Sequence, residues 1–194
     1  MIPRKKLLDI LRGHHALQRG HFELSSGLHS GHYFQCAQLL QHPKIAAQLC
    51  QELARRFRTA KPSIVIGPAI GGVLVAYETA RALGVRAMYT ERVDAEIQLR
   101  RGFHLTSEDR VLIVEDTVTT GESARKVADL IEALGAKAVG IAAIVDRSGG
   151  RVRFPGRRYT RLLSLTFDSF PPHECPLCSE HIPVTRPGRP RPSG

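Results

Sequence analysis

The apolar positions of this chain change period along its length, and each change marks an element. Residues 3–13 suit a short helix. Residues 20–40 suit strand and turn, because Gly20, Gly27 and Gly31 punctuate Phe22-Glu23-Leu24 and Tyr33-Phe34. Pro43 stands where a helix can begin, and Ile45, Leu49, Leu53 and Phe57 recur along one face behind it. Apolar runs then alternate with helical faces: a strand at 64–67, a helix from about 72 to 83 stopped by Gly84, strands at 85–90 and 111–114, a helix over 121–134, and a strand at 139–145. Ala124, Val127, Ala128, Ile131 and Leu134 share one face of the later helix, and Gly135 ends it. This alternation predicts an α/β fold with a central parallel sheet flanked by helices. The short continuous apolar runs suit strands buried on both faces. Loops at the carboxyl ends of such strands share one rim, where ligands bind. Segments 67–72, 91–103, 115–123 and 146–150 are all loops of that kind.

The segment Glu115-Asp116-Thr117-Val118-Thr119-Thr120-Gly121-Glu122-Ser123 carries the most chemistry. A loop opening onto a helix N-terminus presents backbone N–H groups that suit an anion. Thr117, Thr119, Thr120 and Ser123 add hydroxyl donors. The two acids would repel a phosphate they faced, so they are expected to accept hydrogen bonds from sugar hydroxyls. Phosphate on one side and sugar hydroxyls on the other describe a ribose 5-phosphate. The competing reading is an acidic turn with Thr and Ser as helix caps. A helix N-terminus contributes only ~0.3–2 kcal/mol to an anion, whereas micromolar binding requires about 8 kcal/mol. Other loops must therefore contribute. Glycines in 67–72 let backbone N–H groups approach an oxyanion, or simply form a turn into a helix. The stretch 91–103, with Arg92, Arg100 and Arg101, reads as a mobile lid that orders over substrate, or as a solvated charged loop.

Composition narrows the class. The chain has 194 residues, enough for one domain with a substantial core, and no run approaches the ~20 apolar residues of a membrane span. Asp9 and Arg12 interrupt any apolar stretch behind the basic N-terminus, so a signal peptide is not expected and the cytoplasm is the expected location. The net charge of +10 suits nucleic acid, but equally a substrate bearing phosphate and pyrophosphate. The body lacks a basic stripe interleaved with aromatics, and nucleic acid is not the expected partner. Cys36, Cys50, Cys175 and Cys178 are too few and scattered for a disulfide scaffold. Cys175-Pro176-Leu177-Cys178, flanked by His173 and His181, reads as a Pro-containing turn with two reduced thiols, with zinc held by His173, Cys175, Cys178 and His181 as the alternative.

The segment 115–123 resembles the signature of type I phosphoribosyltransferases, which bind phosphoribosyl diphosphate (PRPP). Phe22-Glu23-Leu24-Ser25-Ser26-Gly27-Leu28-His29-Ser30-Gly31-His32-Tyr33-Phe34, Gly67-Pro68-Ala69-Ile70-Gly71-Gly72, Leu99-Arg100-Arg101-Gly102-Phe103 and Val145-Asp146-Arg147-Ser148-Gly149-Gly150, in this order, resemble the orotate phosphoribosyltransferase family. The resemblance runs from about residue 5 to residue 185. It implies one phosphoribosyltransferase domain over 1–183, with a small N-terminal hood (about 1–40 plus a C-terminal segment). Residues 184–194 would be a basic Pro/Arg-rich tail, expected to be disordered.

It further implies transfer of ribose 5-phosphate from PRPP to orotate, with Mg²⁺ carried by PRPP and no metal held directly by the protein. Glu115 and Asp116 would be the catalytic acids and, with Thr117, Val118, Thr119, Thr120, Gly121, Glu122 and Ser123, would bind PRPP. Segment 67–72 would hold pyrophosphate. Thr119 and Arg147 would contact orotate, and Tyr33 and Phe34 would help to cover the base. Read from the residues alone, Arg147 could instead pair with Asp146, and Tyr33 and Phe34 could be core packing. Arg92 would stabilise charge on pyrophosphate from a lid shared across a homodimer. The chain departs from the family pattern where Gly71 and Ser25 replace lysines, and where the lid centre reads Val93-Asp94-Ala95-Glu96. A phosphoribosyltransferase for another base, or a PRPP-sensing nucleic-acid-binding regulator, are the alternatives.

Overall fold

A computed structural model describes residues 1–187. Helix α1 (Arg4–Gly13) leads into a two-stranded antiparallel hood, β1 (Leu17–Glu23) and β2 (His29–Phe34). Helices α2 (Ala37–Leu40) and α3 (Pro43–Phe57) follow, with proline at the start of α3 as its fixed φ favours. The core alternation is β3 (Ile64–Pro68), α4 (Gly71–Leu83), β4 (Arg86–Val93), β5 (Glu96–Leu99), β6 (Arg110–Val118), α5 (Glu122–Ala133), β7 (Lys137–Asp146) and β8 (Tyr159–Ser164). A short helix α6 (Pro176–Ser179) is the last helix among the described residues.

The six-stranded sheet has the order β5-β4-β3-β6-β7-β8 and is parallel except for β5, which runs antiparallel to β4 at one edge. That edge adds an antiparallel strand to the expected central parallel sheet, and much of segment 91–103, read from the sequence as a loop, forms a hairpin. Val93 pairs with Glu96, and Asp94 and Ala95 take φ of 47° and 69°, the two positive values of a two-residue hairpin turn. An edge hairpin need bury only part of one face. Ile97 and Leu99 pack inward, whereas Arg100 and Arg101 pair with Glu91 at its base. Strand β8 was not evident from the sequence either.

Both sheet faces are covered. One carries the hood and α1 to α4, with Leu112, Val114, Leu49, Leu53 and Phe57 in its core. The other carries α5, with Ile113, Ile141, Val127 and Ile131. Of the residues expected on the buried face of α5, Leu134 is the exception: it falls at the C-cap and is exposed. Strand order reverses between β3 and β6, so the chains leaving their carboxyl ends diverge and open a crevice. Their pairing ends at Ile66 and Ile113, while β6 stays paired with β7 as far as Val118 and Asp146.

The C-terminal segment docks on the hood. His29 exchanges backbone hydrogen bonds with Phe170, Thr185 does so with His21 and Glu23, and Arg186 Nε lies 2.7 Å from Glu23 Oε2. The remainder of the expected basic tail, including Arg189 and Arg191, lies outside the described residues.

Candidate active site

The crevice between β3 and β6 gathers the suspect loops. Glu115 and Asp116 belong to the end of β6 rather than to the loop behind it, so they follow strand alternation and point to opposite faces. Asp116 shares the α4 face with Leu112 and Val114, and Glu115 shares the α5 face with Ile113. Asp116 Oδ1 accepts a 2.6 Å hydrogen bond from its neighbour Thr117 N–H. A Cβ at Gly71 would overlap the Asp116 carboxylate, so Gly71 is what allows this acid to lie against the start of α4. A lysine could stand at 71 only with Asp116 turned elsewhere. Gly67 and Gly72 are pressed together in the same way, so that the 67–72 loop folds tightly over the end of β3.

Burial sets the protonation of both acids. Desolvation first, and the neighbouring Asp116 second, push Glu115 up to about 8. Desolvation also raises Asp116, opposed by the Thr117 N–H bond. Near neutral pH Glu115 thus carries its proton much of the time, and an incoming hydroxyl or positive charge would favour its release.

Behind the acids, Gly121 takes a φ of 77° and a Cβ there would lie 2.8 Å from Val152, a conformation and a fit that favour glycine. The first N–H groups of α5 then open outward at Ser123 and Ala124. Thr119 and Thr120 are exposed and line a cleft of about 580 Å³ with Arg125, Ser148 and Arg151. Arg125 donates 2.9 Å to the Thr120 carbonyl and sits over Phe154, a cation at the loop that sequence reasoning missed. Val118 has a different place: its side chain is buried, and its carbonyl accepts 2.7 Å from Arg147 N–H. Glu122 is exposed and pairs with Lys126 at 3.0 Å. Lys126 first, then more weakly Arg92 and Arg125, hold its carboxyl below the usual value. Arg92, exposed on the hairpin, thus lies within electrostatic reach of the loop.

Arg147 does not pair with Asp146. The fully buried Asp146 Oδ1 instead accepts from Ser148 N–H at 2.7 Å and Ser148 Oγ–H at 2.6 Å, fastening the turn after β7. Arg147 makes no ion pair among the described residues, and its buried Nε has no hydrogen-bond partner there. Desolvation lowers its pKa, partly offset by Tyr33 of the hood. Its guanidinium carbon stands 5.5 Å from the centre of the Phe167 ring, and Phe167 stacks on His32 at 5.3 Å. Phe167 and His32 were not foreseen. Tyr33 and Phe34 alternate on β2: Phe34 is 5% exposed and belongs to the core, whereas Tyr33 packs against Phe22 with ring centroids 5.6 Å apart and lies within electrostatic reach of Arg147.

An open crevice at a strand-order reversal, a hydroxyl-rich loop feeding a helix and an acid pair at the strand end define a phosphoribosyl-binding α/β protein. The phosphoribosyl transferase domain matches residues 35–155, and the chain belongs to that family. Its similarities are more specific. It is 46% identical over 185 residues to the orotate phosphoribosyltransferase of Desulforamulus reducens, covering 95% of this chain and 96% of that one. It is 51% identical over 175 residues to that of Carboxydothermus hydrogenoformans, covering 89% and 91%. Among solved structures it resembles Mycobacterium tuberculosis orotate phosphoribosyltransferase in complex with PRPP, with a TM-score of 0.67 at 26% identity over 84% of this chain and 96% of that one.

Proposed function

We propose that this chain transfers the ribose 5-phosphate group of PRPP to orotate, giving orotidine 5-monophosphate and pyrophosphate in pyrimidine synthesis. The observation that carries the choice of base is Arg147. A half-buried guanidinium without a protein acid, at the rim of the sugar-phosphate site and close to Tyr33, suits a planar carboxylate held by paired hydrogen bonds. Orotate bears such a carboxylate, and adenine and hypoxanthine do not.

In this reading the N–H groups and hydroxyls of Thr117 to Ser123 hold the 5-phosphate, and Val118 serves through its backbone. Asp116 and Glu115 accept hydrogen bonds from the ribose hydroxyls, each from its own side of β6. The backbone of the 67–72 loop faces the pyrophosphate. Thr119 and Arg147 orient orotate, so that N1 bonds to C1 as the bond from C1 to the pyrophosphate oxygen breaks, pyrophosphate leaves with that electron pair, and the proton of N1 passes to the departing pyrophosphate or to water. The negative charge of orotate sits on its carboxylate, which gives Arg147 its handle, and the protein acts chiefly by positioning and by stabilising charge. Arg92 offsets charge on the leaving group, and as an arginine it does so without giving up a proton. Mg²⁺ carried on PRPP would neutralise diphosphate charge, with Asp116 and Glu115 left to the ribose hydroxyls rather than ligating the ion.

The β4–β5 hairpin, exposed and arginine-bearing, is the segment that would close over a neighbouring subunit's site in a homodimer. No helix of the described residues is long and apolar enough to cross a membrane, and all four cysteines are free, in keeping with the reducing cytoplasm. Loss of orotate absorbance with PRPP and Mg²⁺ tests the activity directly. Turnover of adenine or hypoxanthine in its place would refute the choice of base.

A further inference from the structure

The hood and the C-terminal segment bring together four side chains that phosphoribosyl transfer does not use. His21 on β1, His29 on β2, Cys175 and Cys178 place one donor atom each within 4.8 Å of one another, and all but Cys178 are buried. His173 and His181, the histidines nearest in sequence to the thiols, are not in this group: His173 is exposed beside Glu174.

We infer that His21, His29, Cys175 and Cys178 form a structural zinc site that fastens the hood to the C-terminal segment. A tetrahedral site with zinc–nitrogen bonds of about 2.0 Å and zinc–sulfur bonds of about 2.3 Å has ligand–ligand edges of roughly 3.3 to 3.8 Å. The sulfur–nitrogen edges here are 3.5 Å (Cys175 to His21), 3.7 Å (Cys178 to His21) and 3.3 Å (Cys178 to His29). The His21 Nε2 to His29 Nδ1 edge is 2.8 Å, so seating the ion requires the rings to part slightly. His21 Nδ1 lies 2.7 Å from the Ile182 carbonyl, which can only accept; Nδ1 therefore carries the proton, and the Nε2 lone pair faces the two sulfurs. A backbone carbonyl fixing the tautomer of a histidine ligand is a recurrent outer-shell arrangement of zinc sites. Two thiolates and two neutral imidazoles neutralise a dication, and this soft donor set favours zinc over magnesium or calcium. Cys175 and Cys178 bracket the first turn of α6, whose Cys178 N–H to Cys175 carbonyl bond of 3.1 Å holds both sulfurs on one side. The ion would join residues up to 157 positions apart, so its binding energy enters the stability of the whole hood.

The test uses the full chain, purified without a histidine tag under reducing conditions. One zinc per chain is expected by elemental analysis, and cobalt exchanged for it should give the visible absorption of a tetrahedral site with thiolate ligands. Cys178→Ser and His29→Ala should lose the metal and melt at lower temperature, whereas His173→Ala and His181→Ala should keep both metal and melting point. If the first pair does not fold, X-ray absorption on the wild-type zinc protein should find two sulfur and two nitrogen neighbours. The inference is overturned if the reduced wild type neither holds nor takes up zinc or cobalt. It also fails if peptide mapping finds Cys175 and Cys178 joined as a disulfide in the reduced preparation, or if the metal has only oxygen and nitrogen neighbours.

Discussion

The rim of β6 and the hood perform neighbouring tasks but are built in opposite ways. The rim takes its acids, hydroxyl-rich loop and helix N-terminus from one unbroken stretch, residues 115–123, and its geometry follows from strand alternation and helix ends. The hood is assembled from residues 17–34 and from a segment near the end of the chain, joined by His29 to Phe170 and His21 to Thr185 backbone bonds. A local device can be specified by a short motif, whereas one closed across the whole chain depends on contacts that no motif displays. The two should therefore fail differently when damaged: the rim in turnover, the hood in affinity for the base and in stability.

The largest effect is expected at the rim. Asp116→Asn should cut kcat/KM for PRPP by about 10²- to 10³-fold with the melting temperature little changed, as for loss of a group aligned with developing charge. Circular dichroism alongside steady-state kinetics checks both parts. Next, Arg147→Ala should raise the orotate KM by about tenfold to a hundredfold, in line with a charged hydrogen bond of roughly 1.5–3 kcal/mol, and leave the PRPP KM close to wild type. Equal losses for both substrates would erase the distinction drawn between sugar and base sites.

Glu115 gives a pH signature. The folded chain holds its carboxyl up to about 8, against 4.5 for the free group. The folded state thus keeps the proton longer than the unfolded state. The stability contributed by this group is fully present below the unfolded value and is lost as pH rises from there through the folded value. Glu115→Gln should therefore melt several degrees above wild type at about pH 9 and approach it at about pH 4. Thermal melts across that range would show it, and an offset independent of pH would refute it. The smallest effect is expected in the hood. Phe167→Leu removes the ring shared by His32 and Arg147, and should raise the orotate KM a few-fold with kcat nearly unchanged.

Much of the rim was legible because its signals are short-ranged. Ala124, Val127, Ala128 and Ile131 announce the buried face of α5, and all four are buried as that spacing requires. The alternation of apolar runs and helical faces gave the layers and the shared rim. What stayed hidden depended on tertiary context. The 91–103 stretch looked too polar for structure, yet an edge hairpin needs little more than Ile97 and Leu99 on one side. The extension of β6 to Val118 decides that Glu115 and Asp116 face apart, and strand ends are poorly marked by sequence. The place of Asp146, fastening Ser148 rather than Arg147, turns on side-chain direction that spacing cannot give. The partners of Cys175 and Cys178 were sought among the nearest histidines, whereas the fold supplies His21 and His29 from the far end of the chain.

The Phe167 ring touches both His32 of the hood and Arg147 at the end of β7. In the proposed reading it is a bearing between a cover and a clamp, placed so that a tilt of one bears on the other. Discrimination among bases could thus drift through changes in the cover that never meet the ligand, and selection acting on heat tolerance of the hood would tune substrate choice as a by-product.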